Sequence, residues 1–145
     1  AFRNVDVDLT TPIDQWPYEA IVTIIERGEV SDWALLTSAI AREPWGGVAR
    51  QVEDYLDYAE PYGVGPLLRR AIAAARERAG QHERDTVAGE VALLVEASGL
   101  TMTELAARIG TSRSRLSTYR SGRVMPSAGM MVRLRETVAR LTHSS

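Results

Sequence analysis

Apolar residues recur at intervals of three and four along most of this 145-residue chain, and that spacing puts them on one side of a helix with 3.6 residues per turn. After Pro17, the residues Tyr18, Ile21, Ile24 and Ile25 share a face, and Gly28 supplies a stop. Ser31 suits the N-cap of a second helix carrying Trp33, Leu36 and Ile40. Pro44 is placed to open a third, in which Trp45, Val48, Val52, Tyr55, Leu56 and Ala59 keep the same period. The run EPYGVGP then breaks the chain, and a fourth helix is expected from about Pro66, with Leu67, Leu68, Ala71, Ile72 and Ala75 apolar. The exception is residues 1–16, where Val5, Val7 and Leu9 alternate with Asn4, Asp6 and Asp8 in the pattern of an extended arm or edge strand. The period predicts an all-α chain.

The stretch RERAGQHERD, residues 76–85, is polar all round and reads as a helical bridge leading into the next apolar face, Val87, Val91, Leu94 and Val95, which ends at Ser98-Gly99. A domain boundary is expected there, dividing an acidic helical region, 1–80, from a second domain, 81–145. Charge divides at nearly the same place. Residues 1–85 hold nine arginines against fifteen Asp and Glu, a balance of −6, whereas residues 86–145 hold eight arginines against four glutamates, a balance of +4. Seven of those arginines fall between Leu105 and Arg135 with no acidic residue among them. A local excess of that size suits a polyanion, because neutralising phosphates releases condensed counterions.

Other function classes find little in the sequence. There is no cysteine, and His82 and His143 lie far apart, so neither a disulfide nor a metal site is expected, and no cofactor is implied. No phosphate-cradling glycine loop and no nucleophile–base pair can be assembled, which argues against an enzyme. The acidic run Glu53, Asp54, Asp57 and Glu60 falls largely opposite the apolar stripe of the third helix and reads as solvated surface. No apolar run reaches the length of a membrane span and the first residues lack a secretory pattern, so the expected location is the cytoplasm.

The segment with the most structure to its signals is GLTMTELAARIGTSRSRLSTYRSGRVMP, from Gly99. Thr101 or Thr103 can cap a short helix whose Leu105, Ala106 and Ile109 face inward, and the small Ala106 lets the next helix come close. Gly110 suits a left-handed turn. Ser112 can cap the following helix, with Leu116 and Tyr119 inward, and Gly122 ends it. Pro126-Ser127 opens a further helix with Met130, Met131, Leu134, Val138 and Leu141 at helical spacing, a stripe that reads as packing.

Over about residues 90–141 this pattern resembles the Cro/CI-type, or XRE-type, helix-turn-helix family of bacterial and phage regulators. The resemblance implies a five-helix lambda-repressor-like domain whose second motif helix enters the major groove of double-stranded DNA. It makes Arg113, Ser114, Ser117 and Thr118 the base readers, with Arg113 suited to guanine because its fork can donate to O6 and N7 together. Thr103, Ser112, Arg115, Arg120, Ser121 and Arg123 fall at phosphate-contacting positions. Three residues depart from the family pattern: Met102 stands where a phosphate-contacting glutamine is usual, Arg120 where a glutamate is common, and Thr111 where a small aliphatic is usual.

One such module reads only a few base pairs, so a homodimer on a palindromic operator is expected, acting as a transcriptional repressor. The acidic half would bring the copies together. Eight of the nine aromatics lie within its first 62 residues; Trp33 and Trp45 read as core, and Tyr58, Tyr62 and the Val5, Val7, Leu9 arm as interface. The alternative is an antitoxin-like protein whose N-terminal half binds a protein partner while the C-terminal half autoregulates.

Overall fold

A computed structural model of the chain describes residues 12–59 and 63–143. The described residues are all-helical, without a strand, and no helix among them is long and apolar enough to cross a membrane. The arm with Val5, Val7 and Leu9, and also Tyr62, lie outside the described residues. The chain divides into two compact units, Ala1–Ala79 and Gly80–Ser145.

In the first unit a single 3-10 turn, Ile13–Gln15, precedes α1 (Tyr18–Arg27), α2 (Val30–Arg42), α3 (Gly47–Ala59) and the opening turns of α4 (Val64–Ser98). Their inward faces meet in one core containing Ile21, Ile24, Ile25, Leu36, Ile40, Val52, Leu56, Leu68 and Ile72. Tyr18, Ala59 and Leu67, at helix ends, are exposed instead. Trp33 packs partly buried against the core and donates its indole N–H to the Ile24 carbonyl at 2.9 Å.

Two helix starts differ from the sequence reading. α2 is capped by Glu29 and not by Ser31, because the Asp32 carboxylate reaches back to the Glu29 N–H at 3.0 Å. α3 begins at Gly47, three residues after Pro44, so Trp45 falls outside the helix and is 63% exposed where core was expected. Its ring is not bare. The Arg76 guanidinium lies over it, 4.2 Å from the centroid. The same guanidinium donates through Nε to the Pro44 carbonyl at 3.0 Å and through both terminal nitrogens to the Glu53 carboxylate at 2.7 Å. Glu53, read from the sequence as solvated, therefore ties α3 to α4; the Arg76 hydrogen bond holds its carboxyl below the ordinary carboxylate range. Beside it, Asp57 pairs with Arg69 at 3.4 Å.

The second unit is built from the rest of α4 with α5 (Met102–Ile109), α6 (Arg113–Ser121) and α7 (Ala128–His143). Four helical stretches stand where the resemblance implied five, since residues 128–143 form one continuous helix. Val91, Leu105, Ile109, Leu116 and Leu134 anchor its core. Arg135 bridges α7 to Glu90 of α4 at 2.5 and 2.9 Å, and Arg133 Nε donates to the Ile109 carbonyl of α5 at 3.1 Å.

Three measurements test these packing assignments. Arg76→Ala should cost the first unit about 1–2 kcal/mol in urea unfolding, the size of a partly buried bidentate pair plus a cation–π contact. Burial, and secondarily a hydrogen bond to Glu26, pushes the Tyr55 hydroxyl up to about 12 from 10. A raised value means that folding favours the neutral phenol, so its stabilisation is present below pH 10 and lost as pH rises towards 12. Tyr55→Phe should remove that alkaline loss in a series of melts between those values. Gly122 has φ of 81°, and a Cβ there would stand 2.7 Å from Asp85 Oδ1; Gly122→Ala should cost about 1–2 kcal/mol through the left-handed backbone alone, read by the thermal midpoint.

Candidate nucleic-acid interface

The site is made by the way α6 is held. Thr101 caps α5 reciprocally with Glu104: its hydroxyl oxygen accepts the Glu104 N–H at 3.1 Å, and its own hydroxyl donates to the Glu104 carboxylate at 2.8 Å. α5 ends at Gly110 in the left-handed region, φ 80°. Ser112 then caps α6, accepting the Arg115 N–H at 3.0 Å, and Gly122 closes it, with the Arg123 N–H bonded back to the Thr118 carbonyl at 3.0 Å. Ala106, buried at the crossing, lets α5 and α6 pack closely. The exit turn is braced from α4, where Gln81 donates to both Asp85 and the Gly122 carbonyl, at 2.8 and 3.4 Å.

Only Leu116 and Tyr119 of α6 face the core. With 3.6 residues per turn, the opposite side is a ridge of short hydroxyl side chains, Ser114, Ser117, Thr118 and Ser121, with Arg113 and Arg120 along one flank and Arg115 along the other. Arg113, Ser114, Ser117, Thr118, Arg120 and Arg123 line one concave surface of about 570 Å³, together with Met102 from the start of α5. Ser112, Ser114, Arg115, Thr118 and Val124 line a second, of about 260 Å³. The structure thus brings eight of the ten residues singled out in this segment onto these two surfaces, and Ser121 lies exposed at the end of the ridge without lining either. Thr103 is exposed on the first turn of α5 and lines neither surface.

The hydroxyls differ in what they can offer. Thr118 donates its proton to the Arg115 carbonyl at 2.6 Å and Ser121 donates to the Thr118 carbonyl at 3.2 Å, so both present lone pairs outward. Ser114 and Ser117 have no such bond among the described residues and can donate or accept. Arg113, Arg120 and Arg123 form no ion pair among the described residues. Their charge is left for an external anion. The sequence reading missed one detail: Arg115 Nε donates to the Tyr119 hydroxyl at 3.0 Å, a contact whose signal was the i, i+4 spacing on one helix.

Elsewhere, Tyr58 is 89% exposed at the end of α3. No group of three or more His, Cys, Asp and Glu side chains among the described residues is placed to hold a metal ion. Among curated proteins and among solved structures nothing matches this chain. Residues 91–137 do match a family model, described as Helix-turn-helix, and that span holds α5, its left-handed turn, α6 and most of α7. The second unit is a DNA-binding helix-turn-helix domain of the Cro/CI, or XRE, type.

Proposed function

We propose that the chain is a sequence-specific transcriptional regulator that represses by occupying a palindromic operator as a homodimer in the cytoplasm. The observation that carries this reading is the outer face of α6, a ridge of small hydroxyl side chains flanked by arginines that form no ion pair among the described residues. Small side chains let a helix sit deep in the major groove, where each base pair shows a distinct donor and acceptor pattern. Arg113, Ser114, Ser117 and Thr118 are assigned to base edges, and Thr103, Ser112, Arg115, Arg120, Ser121 and Arg123 to phosphates. Arg113 at the first exposed position calls for a guanine in each half-site.

Two-fold pairing would place two such faces about 34 Å apart, one turn of duplex. The first unit is assigned to pairing, supported by the exposure of Tyr58; Tyr62 and the arm of Val5, Val7 and Leu9 are assigned to the same interface. A second reading draws on the acidic balance of residues 1–85: an antitoxin-like protein in which that half covers a basic protein partner and the DNA-binding half autoregulates.

Selection of bound duplexes from a random pool tests the first reading, since the recovered motif reports half-site, spacing and symmetry together. On the selected duplex, three phosphate-facing arginines per copy give a log–log salt slope of roughly −5 for a dimer. Arg113→Ala should lose about 1–3 kcal/mol of discrimination at one position of each half-site while binding scrambled duplex almost unchanged. Equal affinity for every sequence, or an unpaired half-site, would remove the regulator or the dimer respectively.

A further inference from the structure

Arg115 and Tyr119 stand one turn apart on α6, joined by a 3.0 Å hydrogen bond from the guanidinium Nε to the phenol oxygen. Their surroundings differ. Tyr119 is 5% exposed, its ring packed in the second core with Leu116, so the hydroxyl stays where the core puts it. Arg115 lies exposed, and the rest of its guanidinium has no partner among the described residues. A guanidinium carries its five N–H donors in one fixed plane. Fastening Nε therefore sets the direction of the two terminal nitrogens, a pair that can grip an anion end-on with two parallel N–H bonds. The backbone of Arg115 is fixed as well, its N–H by Ser112 and its carbonyl by Thr118. All of this borders the smaller concave surface, about 260 Å³, that Ser112, Ser114, Arg115 and Thr118 share with Val124.

We infer that Tyr119 is a positioning residue for DNA affinity: its buried hydroxyl preorganises the Arg115 fork for one backbone phosphate. This rests on the DNA-binding reading of the second unit. A long exposed side chain ordered only on binding gives up its rotamer freedom at that moment, and one already fastened does not. The phosphate is sequence-blind, so the effect is the same on every duplex.

Four proteins decide it: the unaltered chain, Tyr119→Phe, Arg115→Ala and the double variant, each titrated onto the selected duplex and a scrambled one over a range of salt. Removing only the phenol oxygen keeps the ring in the core, and thermal midpoints confirm that the variants fold. Tyr119→Phe is expected to weaken both duplexes about three- to tenfold, the scale of ordering one long side chain on binding, with the salt slope unchanged because the charge remains. Arg115→Ala is expected to lower the slope by about 1 per bound copy, or about 2 for a dimer, and Tyr119→Phe to cost nothing more on that background. Arg115→Lys, which leaves the core untouched, keeps the charge but lacks the fork, and is expected to match the loss of Tyr119→Phe. An unaffected Tyr119→Phe, an equal loss on the alanine background, or full affinity in Arg115→Lys overturns the inference while duplex binding by the unaltered chain stands. Failure of the unaltered chain to bind any duplex overturns the DNA reading as well.

Discussion

A nine-residue helix such as α6 does not hold itself together in water, where nucleation costs more than so few propagating bonds return. What keeps it helical is the packing of two side chains, Leu116 and Tyr119, against the second core, with a serine cap at one end and a left-handed glycine at the other. Everything useful about the site follows from that economy. Because two residues suffice for attachment, the rest of the helix is left for its outer face, and because Ala106 is small the attachment is close enough to be firm. The same constraint explains why the turns on either side are built as they are, since a helix held by so few contacts needs both of its ends satisfied.

The two units manage their arginines differently. In the first, Arg76 spends Nε and both terminal nitrogens on Pro44 and Glu53 and its flat face on Trp45, so the charge is consumed in holding α3, α4 and the intervening loop in place. Arg135 is likewise paired, to Glu90 in the second unit, and that contact ties α7 to α4. Around α6 there is no carboxylate in sequence from Leu105 to Arg135. Arg113, Arg120 and Arg123 are accordingly left without an ion pair among the described residues, and as exposed side chains they put their charge at the surface.

The second unit was more legible from sequence than the first because its signals are local. Thr101, Gly110, Ser112 and Gly122 act within one turn of themselves, and the cap and turn rules that read them depend on backbone geometry alone. The first unit turns on relations between distant residues. Pro44 was a reasonable start for α3, yet the helix opens at Gly47 because Trp45 is taken by Arg76, thirty-one positions along the chain, a relation that no periodicity expresses. Glu29 displaced Ser31 as the cap of α2 because Asp32 was there to answer it, a pairing that residue preference alone ranks low. At the site, the sequence identified which residues face outward but not how their hydrogens are committed: nothing in the string Ser-Arg-Leu-Ser-Thr-Tyr says that Thr118 spends its proton on the helix backbone while Ser117 keeps its own.

The placement of the aromatics has an optical consequence. All three tryptophans, Trp16, Trp33 and Trp45, belong to the first unit, and the second carries Tyr119 as its sole aromatic side chain. Indole emission therefore watches one half of the molecule and is blind to the other, while phenol absorbance from the second half comes from the very ring that underlies the recognition helix. The chain is labelled by its own composition: a spectroscopist can follow the first unit by its indole emission without adding a dye, while the Tyr119 signal lies beneath the absorbance of four tyrosines and three tryptophans of the first unit.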